Sequence, residues 1–321
     1  MGKTQIEWVK NPDGSQGYTL NDKTGCKNHT PEGLCLGGLF PCYAWKLAHT
    51  RLKPLYLANK NIPPAVPATN LTSPIYSSLA LIDPFYPRFW ENRLQEVPAL
   101  KKYTGRFSSE VKNALIEKQR KGIFLDDMSD WMGDCWLREW TLAELQMMRE
   151  NPQHRFYTLT KQPQRLPEFS PFPDNCWVGV TITDGDDDKT PLAYLKKVEA
   201  KVKYISFEPL LHWWDCASSE MIAKSLEIAG IDWLIIGACT GTVKEMAGLI
   251  DKYPDLAGMR YGNKWTAQPP IEWVKEIVEA ADKAGVKVFL KDNLSPLLEW
   301  PDSGSWAFKD YSNAIRQEMP E

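Results

Sequence analysis

The chain has 321 residues and no run of about 18 apolar ones, so no segment has the length to cross a bilayer as a helix. Its first ten residues, MGKTQIEWVK, lack the apolar stretch of a secretory signal. There is no excess of basic charge. The net charge of −3 gives no overall attraction to nucleic acid, although a local basic groove stays open. The four histidines show no spacing of a catalytic triad or a helical zinc pair. The loop G-x-G-x-x-G after a first strand is also missing, which counts against the dinucleotide-binding form of an open doubly wound sheet. Internal repeats and low-complexity tracts are absent.

What is there is enough for a large core: 43% of residues are hydrophobic and 25% are charged. Fourteen tryptophans can fill that core or line a site. Seven cysteines is an odd number. With no export signal, the expected place is the cytoplasm, where free thiols, metal ligands or catalytic thiols come before disulfides.

From residue 108 onward, helical and short apolar segments alternate. SSEVKNALIEKQRKG reads as a helix capped by Ser108 or Ser109 and ended by Gly122. GIFL, HRFYTLT, CWVGVT, VKYISF, IDWLIIGACTG and KVFL read as strands, and GYTL adds an earlier one. TLAELQMMREN reads as a helix opened by a capping box of Thr141 and Glu144. TPLAYLKKVEA, SSEMIAKSLEIAG and PPIEWVKEIVEAADKAG are helical, the last two ending at Gly230 and Gly285. Nearly continuous apolar strands between helices predict an α/β fold with a parallel sheet, a TIM-like full or partial (β/α) barrel. The expected organisation is a single domain over 1–321, with a cysteine loop at 24–48 and an irregular, proline-rich insertion at 49–83.

Polar residues follow the strands. Asp126, Asp127, Ser129 and Asp130 follow the first of the series, then Thr160 and Lys161, then Thr181, Thr183 and Asp184. Ser206 and Glu208 come next, then Cys239 and Thr240, and last Lys291, Asp292 and Asn293. In a parallel α/β protein such ends converge on one face, where ligands bind. Glu208 is a candidate acid/base or amine-binding group, or else a partner in a loop salt bridge. Lys161 and Lys291 suit a carboxylate or phosphate. Asp126, Asp127 and Asp130 suit magnesium, cofactor hydroxyls or caps. Cys135, Cys176 and Cys216 read as small core residues, and one of Trp213 and Trp214 as core.

The most specific feature is GCKNHTPEGLCLGGLFPCYAWKLA, which gathers Cys26, Cys35 and Cys42. Thiolates hold zinc or an iron–sulfur cluster. Cys26, His29, Cys35 and Cys42 make a possible four-ligand zinc set. Three thiolates on a 4Fe–4S cluster leave one iron open to a small molecule. Gly33, Gly37 and Gly38 let the backbone wrap closely, and YAWKLA reads as a helix with Cys42 at its N-terminus, a position that favours thiolate.

These residues, with IEW near the start, TGC at 24–26, CYA at 42–44, MSD at 128–130, LTKQP at 159–163, GVTI at 179–182, SFEPLL at 206–211, IDWLIIGACTG at 231–241 and VFLKDN at 288–293, resemble a family. It comprises the radical-SAM-like, three-cysteine-motif proteins of phage and archaea, a domain of unknown function. Radical-SAM enzymes usually place three and then two residues between their cysteines. Here the gaps are eight and six. The family usually has Gly-Gly-Glu-Ser-Gly where this chain has GACTG, so Cys239 stands in place of a carboxylate.

The resemblance implies an enzyme with a 4Fe–4S cluster on Cys26, Cys35 and Cys42. It also implies S-adenosylmethionine as cofactor and an external electron donor. On that reading Glu208 lies near the cofactor's amine or ribose and Lys161 near its carboxylate. Asp130 or Thr181 meets the ribose hydroxyls, Ile236 lines the adenine, and Ser129 and Thr160 complete the pocket. Cys239 joins Glu208 as a candidate catalytic residue, either as a fourth ligand or as an active thiol. The substrate is unknown, with a nucleic acid or nucleotide as one class. The alternative is a zinc-stapled protein that binds or processes nucleic acid through the basic and aromatic residues at 46–60.

Overall fold

The computed structural model describes residues 1–63, 80–101, 107–184, 189–213, 218–298 and 315–321. The insertion at 49–83 is therefore seen only in part, and Trp214 and Cys216 lie outside the described residues. The chain divides into two compact units. One holds Met1–Gly33, Cys42–Arg165 and Pro171–Trp177, and the other Leu34–Pro41, Leu166–Ser170 and Val178–Glu321.

Strands β1 (Gly2–Lys3), β2 (Tyr18–Leu20), β3 (Lys23–Thr24), β4 (Arg88–Phe89), β5 (Gly122–Leu125) and β6 (Arg155–Thr160) belong to the first unit. Its helices are α1 (Tyr43–His49), α2 (Lys53–Ala58), α3 (Ser109–Glu117) and α4 (Arg138–Glu150). After them come β7 (Cys176–Thr181), α5 (Lys189–Leu195), β8 (Val202–Phe207), α6 (Ser219–Ala229), β9 (Trp233–Ile236) and β10 (Cys239–Gly241). The chain continues through α7 (Val243–Lys252), β11 (Ala257–Tyr261), β12 (Lys264–Gln268), α8 (Ile271–Ala284), β13 (Lys287–Leu290) and α9 (Ser295–Leu298).

The main sheet runs β1-β2-β5-β6-β7-β8-β9-β13. β2–β5, β5–β6, β8–β9 and β9–β13 pair in parallel, and β1 adds to β2 antiparallel. The fold is therefore mixed α/β with a mostly parallel sheet, as the alternation of apolar runs predicts. Among the described residues no pairing joins β1 to β13, so the sheet has two ends and the full-barrel form of the expectation is corrected. β5, β7 and β9 are buried at every position, the mark of strands covered on both faces.

Three local readings change. The helix expected at TLAELQMMREN begins earlier, at Arg138, with Leu137 as N-cap. Thr141 and Glu144 are thus interior and fully buried, and form no capping box. Gly122 does not end α3, which stops at Glu117 after a Ser108 cap whose hydroxyl accepts from Val111 N at 3.3 Å. It is instead the first residue of β5. IDWLIIGACTG is two strands: β9 ends at Ile236, and β10 joins a separate antiparallel sheet ordered β10-β12-β11.

Candidate functional site

In the first unit the cysteine loop hangs from the end of β5. Gly25 N donates to Met128 O at 2.9 Å, Cys26 N donates to Phe85 O at 3.0 Å, and Ser129 Oγ donates to Gly25 O at 2.8 Å. Gly25 has φ +85°, and a Cβ there would lie 2.4 Å from Phe85 O, so only glycine fits before Cys26. Cys26 Sγ accepts from Asn28 N at 3.2 Å. Cys42 is the N-cap of α1, and its Sγ accepts from Trp45 N at 3.5 Å. Both thiols are half-buried and pack against one apolar cluster of Ala44, Ala48, Tyr56, Phe85 and Met128. Backbone N–H groups aimed at sulfur stabilise thiolate and tune a bound cluster, so these two residues fit an iron–sulfur centre.

His29 Nδ1 is engaged with Thr30 O at 2.7 Å, and its ring tilts against Phe85. Among the described residues, the one set of three or more metal-ligating side chains with donor atoms within 4.8 Å of one another is Asp22, Asp126 and Glu144. Cys26, His29 and Cys42 are not part of that set.

In the second unit Cys35 is buried in a turn closed by a Leu34–Pro41 bridge. Cys35 N donates to Phe40 O at 2.9 Å. Thr183 Oγ1 donates to Gly37 O at 2.5 Å and Tyr253 Oη to Gly38 O at 2.9 Å. Gly38 has φ +128°, with Leu211 Cδ1 2.7 Å from where a Cβ would stand.

The strand-end residues come together within each unit. In the first, Asp130 Oδ1 accepts from Thr160 Oγ1 and from Met132 N, and Oδ2 accepts from Lys161 N at 3.0 Å. Thr160 Oγ1 in turn accepts from Gln162 N at 2.9 Å. This network clamps the ends of β5 and β6 together.

In the second unit Glu208 and Lys291 form an ion pair at the ends of β8 and β13. They flank Gly237, where a Cβ would meet Lys291 Cδ at 2.9 Å and Glu208 Cγ at 3.4 Å. Asn293 braces the next turn, donating to Ala238 O at 2.7 Å and to Thr240 Oγ1 at 3.1 Å. Thr181 Oγ1 and Ser206 Oγ are buried with no hydrogen-bond partner among the described residues. Ile236 is fully buried at the end of β9. Cys239 is buried, and desolvation, with Glu208 and Glu245 nearby, pushes its thiol up to about 12, so it is a neutral S–H at physiological pH.

The remaining candidates are engaged in local packing and hydrogen bonds. Burial pushes Cys135 and Cys176 up to about 12. Trp213 is buried and donates to Glu276 at 2.9 Å. His49 stacks on Trp45, His154 Nδ1 accepts from Lys121 N at 3.0 Å, and His212 meets Trp273 edge-on. Asp127 Oδ1 accepts from Asn21 Nδ2 at 2.6 Å. Among the described residues no helix is long and apolar enough to cross a membrane.

The fold is thus an α/β protein whose first unit carries two thiols, each accepting a backbone N–H, ahead of a parallel sheet. The chain belongs to the family described as protein of unknown function (DUF5131), whose model matches residues 3–247. No curated protein matches the sequence. Solved structures of spore photoproduct lyase are similar. The complex with a dinucleoside spore photoproduct aligns at 13% identity and TM-score 0.47, covering 90% of this chain and 81% of that one. A cysteine-to-serine mutant of the same enzyme aligns at 14% and 0.45 with the same coverage. A double mutant with bound AdoMet and dinucleoside spore photoproduct aligns at 13% and 0.45, covering 90% and 80%.

Proposed function

We propose that the chain is a radical-SAM-type enzyme in which Cys26, Cys35 and Cys42 ligate a 4Fe–4S cluster that binds S-adenosylmethionine. The observation that carries this reading is the pair Cys26 and Cys42, half-buried on one apolar cluster, each sulfur accepting a backbone N–H. Zinc needs its ligand atoms close round one ion, whereas cluster thiolates sit on different irons. When bound, such a cluster with its cofactor supplies one-electron reduction of a sulfonium and hydrogen abstraction from a substrate.

The chain's own residues bind, orient and protect. Thr181 and Ser206 bring unpartnered buried hydroxyls, which call for a polar ligand. Glu208 and Lys291 offer one carboxylate and one ammonium at the strand ends on either side of β9, the two charges complementary to an amino acid's own. Lys161, Asp130, Thr160 and Ser129 hold the strand ends of the first unit, and Ile236 gives an apolar wall. Cys239 keeps its proton, the form of a thiol able to give a hydrogen atom to a carbon radical. A nucleotide or nucleic acid is one substrate class this reading admits, and electrons come from an external donor. Anaerobic reconstitution followed by an assay for S-adenosylmethionine cleavage tests the reading. Reductant-dependent cleavage supports it, and a colourless protein with one tightly held zinc ion and no cleavage overturns it.

A further inference from the structure

The first unit contains a buried carboxylate cluster that the proposed chemistry does not use. Asp126 and Glu144 are each held from outside by one oxygen. Asp126 Oδ1 accepts from Lys23 N at 2.9 Å. Glu144 Oε2 accepts from Lys23 Nζ at 2.5 Å and from Trp131 Nε1 at 3.0 Å. Their other oxygens, Asp126 Oδ2 and Glu144 Oε1, have no hydrogen-bond partner among the described residues. Separately, Asp22 is 0% exposed, and among the described residues no N–H or O–H donates to either of its carboxylate oxygens. It is aimed into the same place, since the donor oxygens of all three residues lie within 4.8 Å of one another.

The charges do not balance. Three buried carboxylates face one buried ammonium, Lys23, a formal sum of −3 + 1 = −2. Arg93 is the next cation, and it donates to Asn21 O at 2.5 Å and stacks over Trp90. Buried, unpaired carboxylate oxygens are costly, so the cluster takes up either protons or a cation. The donors decide between the two. N–H and ammonium groups occupy one oxygen each of Asp126 and Glu144 and leave the other open, as outer-shell donors do for carboxylates on a metal.

We infer that Asp22, Asp126 and Glu144 hold one hard divalent cation of the magnesium, manganese or calcium class. Oxygen-only ligation selects hard ions over zinc and iron. The cation links the segment after β2, the end of β5 and helix α4, four residues before Cys26. It is a positioning element for the cysteine loop, independent of whether the thiols hold a cluster.

The test uses full-length protein stripped with chelator and then titrated with Mn²⁺, read by electron paramagnetic resonance, with Mg²⁺ and Ca²⁺ read by thermal shift. One saturable Mn²⁺ per chain is expected in the wild type and equally in the Cys26→Ser, Cys35→Ser, Cys42→Ser triple variant, which separates this site from the thiols. Asp22→Asn should weaken Mn²⁺ at least tenfold, on the order of the loss seen on disturbing a metal's surroundings. Because its amide donates to the free oxygens, it should leave the cation-free protein at least as heat-stable. If Asp22→Asn fails to fold, the wild-type stoichiometry still decides. No saturable binding of any of the three ions to folded wild type, or equal binding to folded Asp22→Asn, overturns the assignment.

Discussion

Glu208 and Lys291 pair at the ends of β8 and β13, with Gly237 between them and no room there for a Cβ. The pair is largely shielded, at 27% and 13% side-chain exposure, so removing either partner leaves the other's charge less well compensated. Lys291→Met and Glu208→Gln should each destabilise the protein by more than the double variant does beyond either one. A coupling of about 0.5–3 kcal/mol is expected from a denaturant double-mutant cycle. Additive effects would show that the pair is not formed in solution.

Cys239 bears on reactivity. Its thiol is pushed up to about 12, so it stays protonated at pH 8 and reacts slowly with iodoacetamide, as do Cys135 and Cys176. A folded pKa above the ordinary thiol value means the folded state holds the proton more tightly. The stability this gives is complete below about pH 9 and is lost between about pH 9 and 12. Mass spectrometry after timed alkylation of the metal-free native protein should show Cys26 and Cys42 modified well before Cys239.

Asp130 should behave as a clamp. Its carboxylate serves Thr160 Oγ1 and the backbone N–H groups of Met132 and Lys161. Asp130→Ala leaves these donors unpaired in a buried place, with an expected cost of about 2–4 kcal/mol by urea denaturation. A loss under about 0.5 kcal/mol would mean that water replaces the carboxylate at no cost.

Gly25→Ala combines a left-handed backbone with a Cβ 2.4 Å from Phe85 O. It should cost more than about 2 kcal/mol and disturb Cys26, whose N–H bonds to that same oxygen. An unchanged melting midpoint would contradict the geometry drawn for this turn.

Much of the fold was legible because β5, β7, β8, β9 and β13 are short apolar runs between capped or glycine-ended helices. The sheet β10-β12-β11 was not. Cys239 follows β9 after only Gly237 and Ala238, and β11, AGMRY, is mostly exposed, so neither run carries a burial pattern. Cys42 at a helix start was readable from YAWKLA, and a loop salt bridge was one of two readings of Glu208, with Lys291 not identified as its partner. Asp22 and Glu144 were missed. Glu144 shares the stripe of Thr141, Leu145 and Met148, and a lone acid in a buried stripe was the available signal. The capping-box pattern masked it.

The central claim is a cluster held by three thiols, and the most direct measurement is iron and sulfide content after anaerobic reconstitution of the wild type and of Cys26→Ala, Cys35→Ala and Cys42→Ala. Absorption spectra are recorded on the same samples, and the electron paramagnetic resonance signal of the reduced protein is followed as S-adenosylmethionine is added. The account predicts about four irons and four sulfides per wild-type chain, a spectrum that changes with the cofactor, and loss of the cluster in every single variant. A variant that keeps the full cluster with unchanged spectra, or a wild-type signal indifferent to millimolar cofactor, would contradict it.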